Sequence, residues 1–234
     1  MKVTFSNKEP VANNIVTFWF KSPRPISYIA GQFVELQLPH SSVDNRGITR
    51  QFTLSSSPTE SLLAITTRFT ENRNSSFKKA LLCLQPGTIV DMTEPMGDFI
   101  LPKDKTLPLV FIAGGVGISP YRSIVKYLSD SGEKRNIQLL YGVKHESDIV
   151  FLDLFRQNNI YIDLIVSEPS KTWQGQTGRL SAQLALKTLK HNTDTLFYIS
   201  GPELLVEALC KNLVRLGVSR DKLISDSFLG YIDQ

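Results

Sequence analysis

Two stretches of the chain put chemistry-bearing residues at informative spacings. The first is Phe111-Ile112-Ala113-Gly114-Gly115-Val116-Gly117-Ile118-Ser119-Pro120, where an apolar run meets three glycines and then a proline suited to a helix start. A strand that turns through glycines into a helix presents backbone N–H groups and a helix dipole, the surroundings that hold a diphosphate. Gly115, Val116 and Gly117 are the candidates for that contact. The spacing departs from G-x-G-x-x-G, so an ordinary Rossmann dehydrogenase is not the match. Taken alone, the same glycines would equally serve a tight strand–helix turn with no ligand.

The second stretch, Arg50-Gln51-Phe52-Thr53-Leu54-Ser55-Ser56, mixes a cation, an aromatic ring and hydroxyls within one expected strand. Side chains two apart share a face, so Arg50 and Phe52 would offer a guanidinium to phosphate and a ring to a flat heterocycle. Thr53 would face the other way unless the strand twists or bulges. An exposed Arg beside a core Phe is the competing reading. Further on, Ser75-Ser76 precedes an apolar segment as a helix cap would.

Elements to position these residues follow from periodicity. The first hundred residues read as short strands, for example 16–20, 33–38 and 62–68, with apolar residues recurring at a period near two. An antiparallel barrel or sandwich follows. From about Leu107 the texture becomes strand, turn and helix in succession, which implies a parallel sheet. Strands are expected at 108–113, 138–141, 161–167 and 196–200, and helices at 121–128, 149–156, 181–189 and 202–216. The polar, Pro-containing stretch 101–106 marks the change, giving domains 1–102 and 103–234.

Composition narrows the function classes. With 41% hydrophobic and 21% charged residues in 234, the chain is globular rather than disordered and has room for two cores. It contains no run of eighteen apolar residues and no apolar leader near Met1, so membrane insertion and secretion are not expected and a cytoplasmic location is. Cys83 and Cys210 are the two cysteines and form no C-x-x-C, which excludes a disulfide framework, a structural zinc and a four-cysteine iron–sulfur cluster. Any further electron carrier must be another molecule. A net charge of +4 without a basic block argues against nucleic acid and suits an acidic protein partner. His40, His145 and His191 sit in polar loop-like stretches and are poor catalytic candidates.

Taken together the motifs resemble the ferredoxin–NADP reductase superfamily, especially bacterial FAD-dependent reductases. Gly31-Gln32-Phe33, Arg50-Gln51-Phe52-Thr53, Thr67-Arg68, Ser75-Ser76-Phe77-Lys78, Gly114 to Pro120, Trp173-Gln174-Gly175, Gly201-Pro202 and Phe228-Leu229-Gly230-Tyr231 fall in the order and approximate spacing of that family. The resemblance implies a two-domain molecule: an antiparallel β-barrel holding FAD and an α/β domain whose five-stranded parallel sheet holds NADPH or NADH. It assigns Arg50 to the FAD phosphates, Phe52 to stacking on the isoalloxazine and Thr53 to hydrogen bonding near flavin N5, with Gln51 between them. Backbone around Ile65, Thr66 and Thr67 would line the flavin, and Ser75, Ser76 and Phe77 would offer N–H groups to the FAD diphosphate. Phe228, Gly230 and Tyr231 would form a tail against the flavin, so Thr53 and Tyr231 are the catalytic candidates.

For the nicotinamide nucleotide the resemblance adds Ser200, Gly201 and Pro202, with Ser200 standing where many relatives place Cys. Asp226 and Ser227 occupy a stretch where relatives often carry Glu. Lys144 follows the second strand of the nucleotide domain, where a cation would favour NADPH; Lys171, Trp173 and Arg179 are further candidates there. No metal is implied. The implied activity moves hydride from NAD(P)H to FAD and passes electrons to a separate ferredoxin or flavodoxin. A reductase of free flavin, quinone or a small oxidant, an electron-transfer subunit of a larger complex, and an FAD-binding regulatory module are the alternatives.

Overall fold

The computed structural model describes residues 1–70, 74–188, 190 and 192–228. Its first half turns the short alternating runs into six antiparallel strands: β1 (Lys2–Ala12), β2 (Ile15–Lys21), β3 (Phe33–Gln37), β4 (Thr49–Thr53), β5 (Leu63–Arg68) and β6 (Ile89–Met92), in the spatial order β4-β3-β6-β1-β2-β5. A bridge between Leu54 and Ile65 joins the two edges and closes the barrel. Alternation sends Val3, Phe5, Phe18, Phe20, Val34 and Leu36 inward, and helix α1 (Ser76–Leu82) adds Phe77 and Leu81 to this core.

The second half is a parallel sheet of β7 (Leu109–Gly114), β8 (Ile137–Val143), β9 (Tyr161–Val166), β10 (Gln176–Thr177), β11 (Leu196–Pro202) and β12 (Leu223–Phe228), ordered β10-β9-β8-β7-β11-β12. Both faces are covered, as a near-continuous apolar strand demands. Along β7, Leu109, Phe111 and Ala113 enter the core beneath α2 (Ser119–Ser131), whereas Val110 and Ile112 enter the opposite core with α4 (Ala182–Thr188) and α5 (Glu203–Arg215).

Six strands replace the expected five. The sequence 223–228 reads Leu-Ile-Ser-Asp-Ser-Phe, too polar for a fully buried strand, but at the sheet edge it pairs with β11 from Phe197–Leu223 to Pro202–Phe228. The helix expected from residue 149 begins later, as α3 (Leu152–Gln157), because Phe151 adopts a left-handed φ of 64°. Pro202 ends β11 instead of opening α5.

The two halves are joined by specific contacts. Ile15, Ala30 and Phe99 of the first half enter the core built around α2. Arg122 of α2 donates to the Ser55 carbonyl at 2.8 Å and to Glu60 Oε1 at 3.0 Å, and the Ser123 hydroxyl donates to the Ser56 carbonyl. These bonds fix the gap between the carboxyl ends of the parallel strands and the open side of the barrel. No helix among the described residues is long and apolar enough to cross a membrane.

Candidate active site

Within that gap lies a cleft of about 1010 Å³ of empty space, bordered by Arg50, Gln51, Phe52 and Thr53 from β4, Thr66, Thr67 and Arg68 from β5, Ser75 and Lys78 from α1, and Val116, Ser119 and Pro202 from the parallel-sheet side. Arg46 from the β3–β4 loop completes it. Of the residues expected to meet FAD, Arg50, Gln51, Phe52, Thr53, Thr66, Thr67 and Ser75 border this one cleft. The Ile65 side chain is fully buried in the barrel core, which leaves its backbone as the part expected at the flavin. Phe77 is likewise buried, standing behind the cleft with its ring 5.9 Å from that of Phe52 and 5.2 Å from the Arg50 guanidinium carbon.

Ser76 is the clearest correction. Its backbone N–H is already taken at 2.8 Å by Asp44 Oδ2, and its hydroxyl accepts the Asp44 N–H at 3.0 Å and lies 2.9 Å from His40 Nε2. A carboxylate 32 residues earlier, delivered by the β3–β4 loop, occupies the helix-start donor that the sequence offered to phosphate. Ser75 does serve as the N-cap, accepting the Lys78 N–H at 3.3 Å, and it borders the cleft. Thr66 is anchored from below by hydroxyl contacts of 2.9 Å to both Thr17 and Ser55. Phe228 ends β12, while Gly230 and Tyr231 lie outside the described residues, as does His191.

The electrostatics of the cleft fit a diphosphate. Arg46, Arg50, Arg68 and Lys78 gather on one wall, and Lys78 has its pKa lowered to about 8 by burial first and then by those three guanidiniums. Crowding of like charge in a sheltered wall is relieved by a bound anion. Arg50 is held in place to receive one. Its Nη1 donates to the carbonyls of Arg46 at 2.7 Å and Gly47 at 3.0 Å, and its Nη2 lies 3.4 Å from Asp44 Oδ1. Arg46 and Lys78 had no expected role, because their approach depends on a loop and on a helix turn folding back over β5.

A second cleft runs over the glycine turn, bordered by Gly114, Gly115, Val116, Val143, Lys144, Ser167, Arg179 and Pro202. Gly117 is buried against the backbone of Ser200 and Gly201, so β11 and the turn pack main chain to main chain. Tyr121 sits beneath, its hydroxyl 3.0 Å from the Ile112 carbonyl and 2.8 Å from that of Tyr198. Ser200 is buried and its Oγ has no hydrogen-bond partner among the described residues. A buried orphan hydroxyl at the end of β11 suits a polar ligand group such as a carboxamide. Lys144 is not the isolated cation that the sequence suggested: its ammonium lies 3.3 Å from Glu168 Oε2.

Beside β4 lies a group the sequence had left without a role, Asp226 of β12. Thr53 directs its Oγ1 to Asp226 Oδ2 at 2.8 Å, joining β4 to β12 across 173 residues. Burial raises the Asp226 pKa, opposed in part by the Thr53 bond. Thr53 thus borders the same cleft as Arg50 and Phe52 and ties β4 to the parallel-sheet half.

An oxidoreductase FAD-binding domain family matches residues 2–100, and an oxidoreductase NAD-binding domain family matches residues 111–211. Those two segments belong to the oxidoreductase FAD-binding and NAD-binding domain families. Among curated relatives, it is 28% identical over 94% of its length to the stachydrine N-demethylase reductase subunit Stc4 of Rhizobium meliloti, covering 64% of that protein. It is 25% identical over 97% of its length to the toluate 1,2-dioxygenase electron transfer component of Pseudomonas putida, covering 67%. The chain therefore spans about two thirds of the length of these relatives. The flavohem-like FAD/NAD-binding domain of a Vibrio cholerae nitric oxide dioxygenase superposes with a TM-score of 0.83, covering 97% of this chain and 98% of that one at 20% identity, which establishes the shared fold.

The two matched families give the chain an FAD-binding and an NAD-binding domain. Arg50→Ala is expected to weaken FAD retention about tenfold to a hundredfold, the scale of a hydrogen bond to a charged group, while slowing flavin reduction far less in molecules that keep FAD. Titration of the apoprotein with FAD, compared with reduction rates of the loaded variant, checks this. Unchanged FAD affinity would remove Arg50 from the site.

Proposed function

We propose that this chain oxidises NADH or NADPH at bound FAD and passes the electrons to a separate redox protein. The observation that carries the reading is the shared wall: Val116, Pro202 and Arg68 each border both clefts, so a nucleotide in one lies against a flavin in the other. Hydride transfer needs the reacting atoms held about 3–3.5 Å apart, which a rigid pair of facing domains can impose. FAD, when bound, supplies the chemistry of accepting a hydride and releasing electrons one at a time.

The chain's own residues then have separable roles. Arg50, with Arg46 and Lys78 beside it, holds the FAD diphosphate, and Phe52 gives the ring system a flat apolar face. The turn at Gly115 to Gly117 receives the nucleotide diphosphate with backbone N–H groups, and the Ser200 hydroxyl meets the nicotinamide end. Thr53 donates its hydroxyl hydrogen to Asp226, which leaves its oxygen free to accept from an N–H of bound flavin, with Asp226 next in line for the proton. Relatives named as a reductase subunit and an electron transfer component support a protein acceptor, with ferredoxin or flavodoxin the chemistry expected. Anaerobic mixing with NADH and with NADPH tests the reading: flavin colour should bleach. Rapid turnover with a purified ferredoxin but not with free flavin identifies the acceptor class, and the reverse result makes the protein a flavin reductase.

Glu168 reverses the expectation about nucleotide choice. A 2′-phosphate beside Lys144 would also stand beside the Glu168 carboxylate, whose charge opposes it. NADH is therefore the preferred donor in this reading. Glu168→Gln should raise kcat/KM for NADPH relative to NADH by about tenfold, because it removes the repulsion and releases Lys144 for the phosphate. Steady-state comparison of the two donors measures it; an unchanged ratio in Glu168→Gln would separate this pair from specificity.

A further inference from the structure

We propose that Asp148 is a positioning residue that pins Arg68 to the wall shared by the two clefts and thereby sets the grip on the nicotinamide nucleotide's diphosphate. The inference rests on the reaction proposed above. Arg68 ends β5 in the barrel domain and borders both clefts. Its Nη2 lies 2.9 Å from Oδ2 of Asp148, which belongs to the other domain, in the turn Glu146–Asp148 after β8. The ion pair crosses the domain boundary.

Asp148 cannot follow a wandering partner. Its side chain is 4% exposed, and the same Oδ2 accepts the His145 N–H at 3.1 Å. The turn itself is stitched to the barrel by the Asn13 N–H, which donates to the Ser147 carbonyl at 3.0 Å. The main chain at Arg68 is held too, since the Lys78 ammonium donates to its carbonyl at 2.5 Å.

A fixed carboxylate determines where the guanidinium stands. FAD, bound among Arg46, Arg50 and Lys78, presents a diphosphate in the adjoining cleft, and a long flexible arginine released from Asp148 would swing onto that resident anion. Pinned by Asp148, the guanidinium keeps N–H donors facing the second cleft, where the nucleotide diphosphate arrives. Asp148 touches neither cofactor in this scheme. It acts through Arg68.

The test uses the FAD-loaded protein, with NAD⁺ and ADP-ribose as calorimetric probes that bind without chemistry. Asp148→Asn retains an acceptor for the His145 N–H but loses the charge. Its dissociation constants for both probes should rise about tenfold, as should KM for the reducing nucleotide, with kcat within about twofold. Arg68→Met should show the same rise, and the double variant no more than either alone, the non-additivity expected of groups acting as a unit. Unchanged affinities in Asp148→Asn, or losses that multiply in the double variant, overturn the proposal. If Asp148→Asn loses FAD, the double variant should regain it by removing the unpaired cation, and a double variant that retains FAD no better also overturns it. A wild type that binds NAD⁺ yet is bleached by neither NADH nor NADPH sinks the hydride-transfer reading and leaves the Asp148 comparison in force. A wild type that binds neither probe overturns both.

Discussion

Gly117→Ala is expected to lose about a hundredfold in kcat/KM for the nicotinamide nucleotide while the protein still retains FAD. A methyl group at this position would lie 2.3 Å from the Ser200 carbonyl oxygen, 2.5 Å from its carbon and 2.7 Å from Gly201 Cα. Every one of those atoms is main chain, and β11 is locked between β7 and β12, so the turn and not the strand must move. Overpacking of this kind costs about 1–3 kcal/mol, and a shift near 1 Å in the turn carries the diphosphate donors out of place. The FAD cleft draws mainly on the barrel and should stay intact. Gly115→Ala is the control: φ is +55° but nothing lies within 4 Å of an added methyl, so the expected penalty is the left-handed strain of about 1–2 kcal/mol. Rapid-mixing rates of flavin reduction, set against FAD content, distinguish the two. Wild-type reduction by Gly117→Ala would show that the turn does not hold the nucleotide.

The second large effect concerns electron release. Asp226→Asn should slow turnover with a one-electron protein acceptor about a hundredfold, the lower range of what a positioned proton-transfer group contributes, while leaving reduction by NAD(P)H nearly unchanged. Hydride transfer to bound FAD would need no protein base, whereas releasing electrons from it would require a proton acceptor, and the group available is Asp226, reached through the Thr53 hydroxyl that donates to its Oδ2 at 2.8 Å. The carboxyl must be ionised to accept it. Because burial raises the Asp226 pKa, ionisation is completed at a higher pH than for an ordinary carboxylate. Wild-type turnover should therefore climb as pH rises through that raised pKa, and Asp226→Asn should be flat over the same interval. Stopped-flow measurement of the two half-reactions across pH resolves the claim. Equal slowing of both halves would mark Asp226 as a packing residue, and a retained pH step in the variant would assign the titration to another group.

How far the sequence reached is clear from where these residues lie. The glycine turn at 114–117, the Ser75 cap and the strand Arg50 to Thr53 were legible because each depends on neighbours within a few positions: apolar periodicity, a missing Cβ, a hydroxyl before a helix. The same locality made the two-domain order visible, since alternation at period two gives way to strand–helix succession near residue 107. The two edge strands, β10 and β12, were not legible, because Gln-Thr and Ile-Ser-Asp-Ser become strand by pairing with β9 and β11 and not by their own pattern.

Pairings between distant charges belonged to the tertiary structure. Asp44 takes the Ser76 N–H, Glu168 neutralises Lys144, Asp148 meets Arg68 and Asp226 meets Thr53. Each joins residues from different elements, and the last two join different domains. The sequence determined which groups were present and which strands and turns would carry them. Which cation is paired, and which carboxylate meets Thr53, was decided by how the two domains pack, since a charge's role depends on partners within a few ångströms and not on its place along the chain.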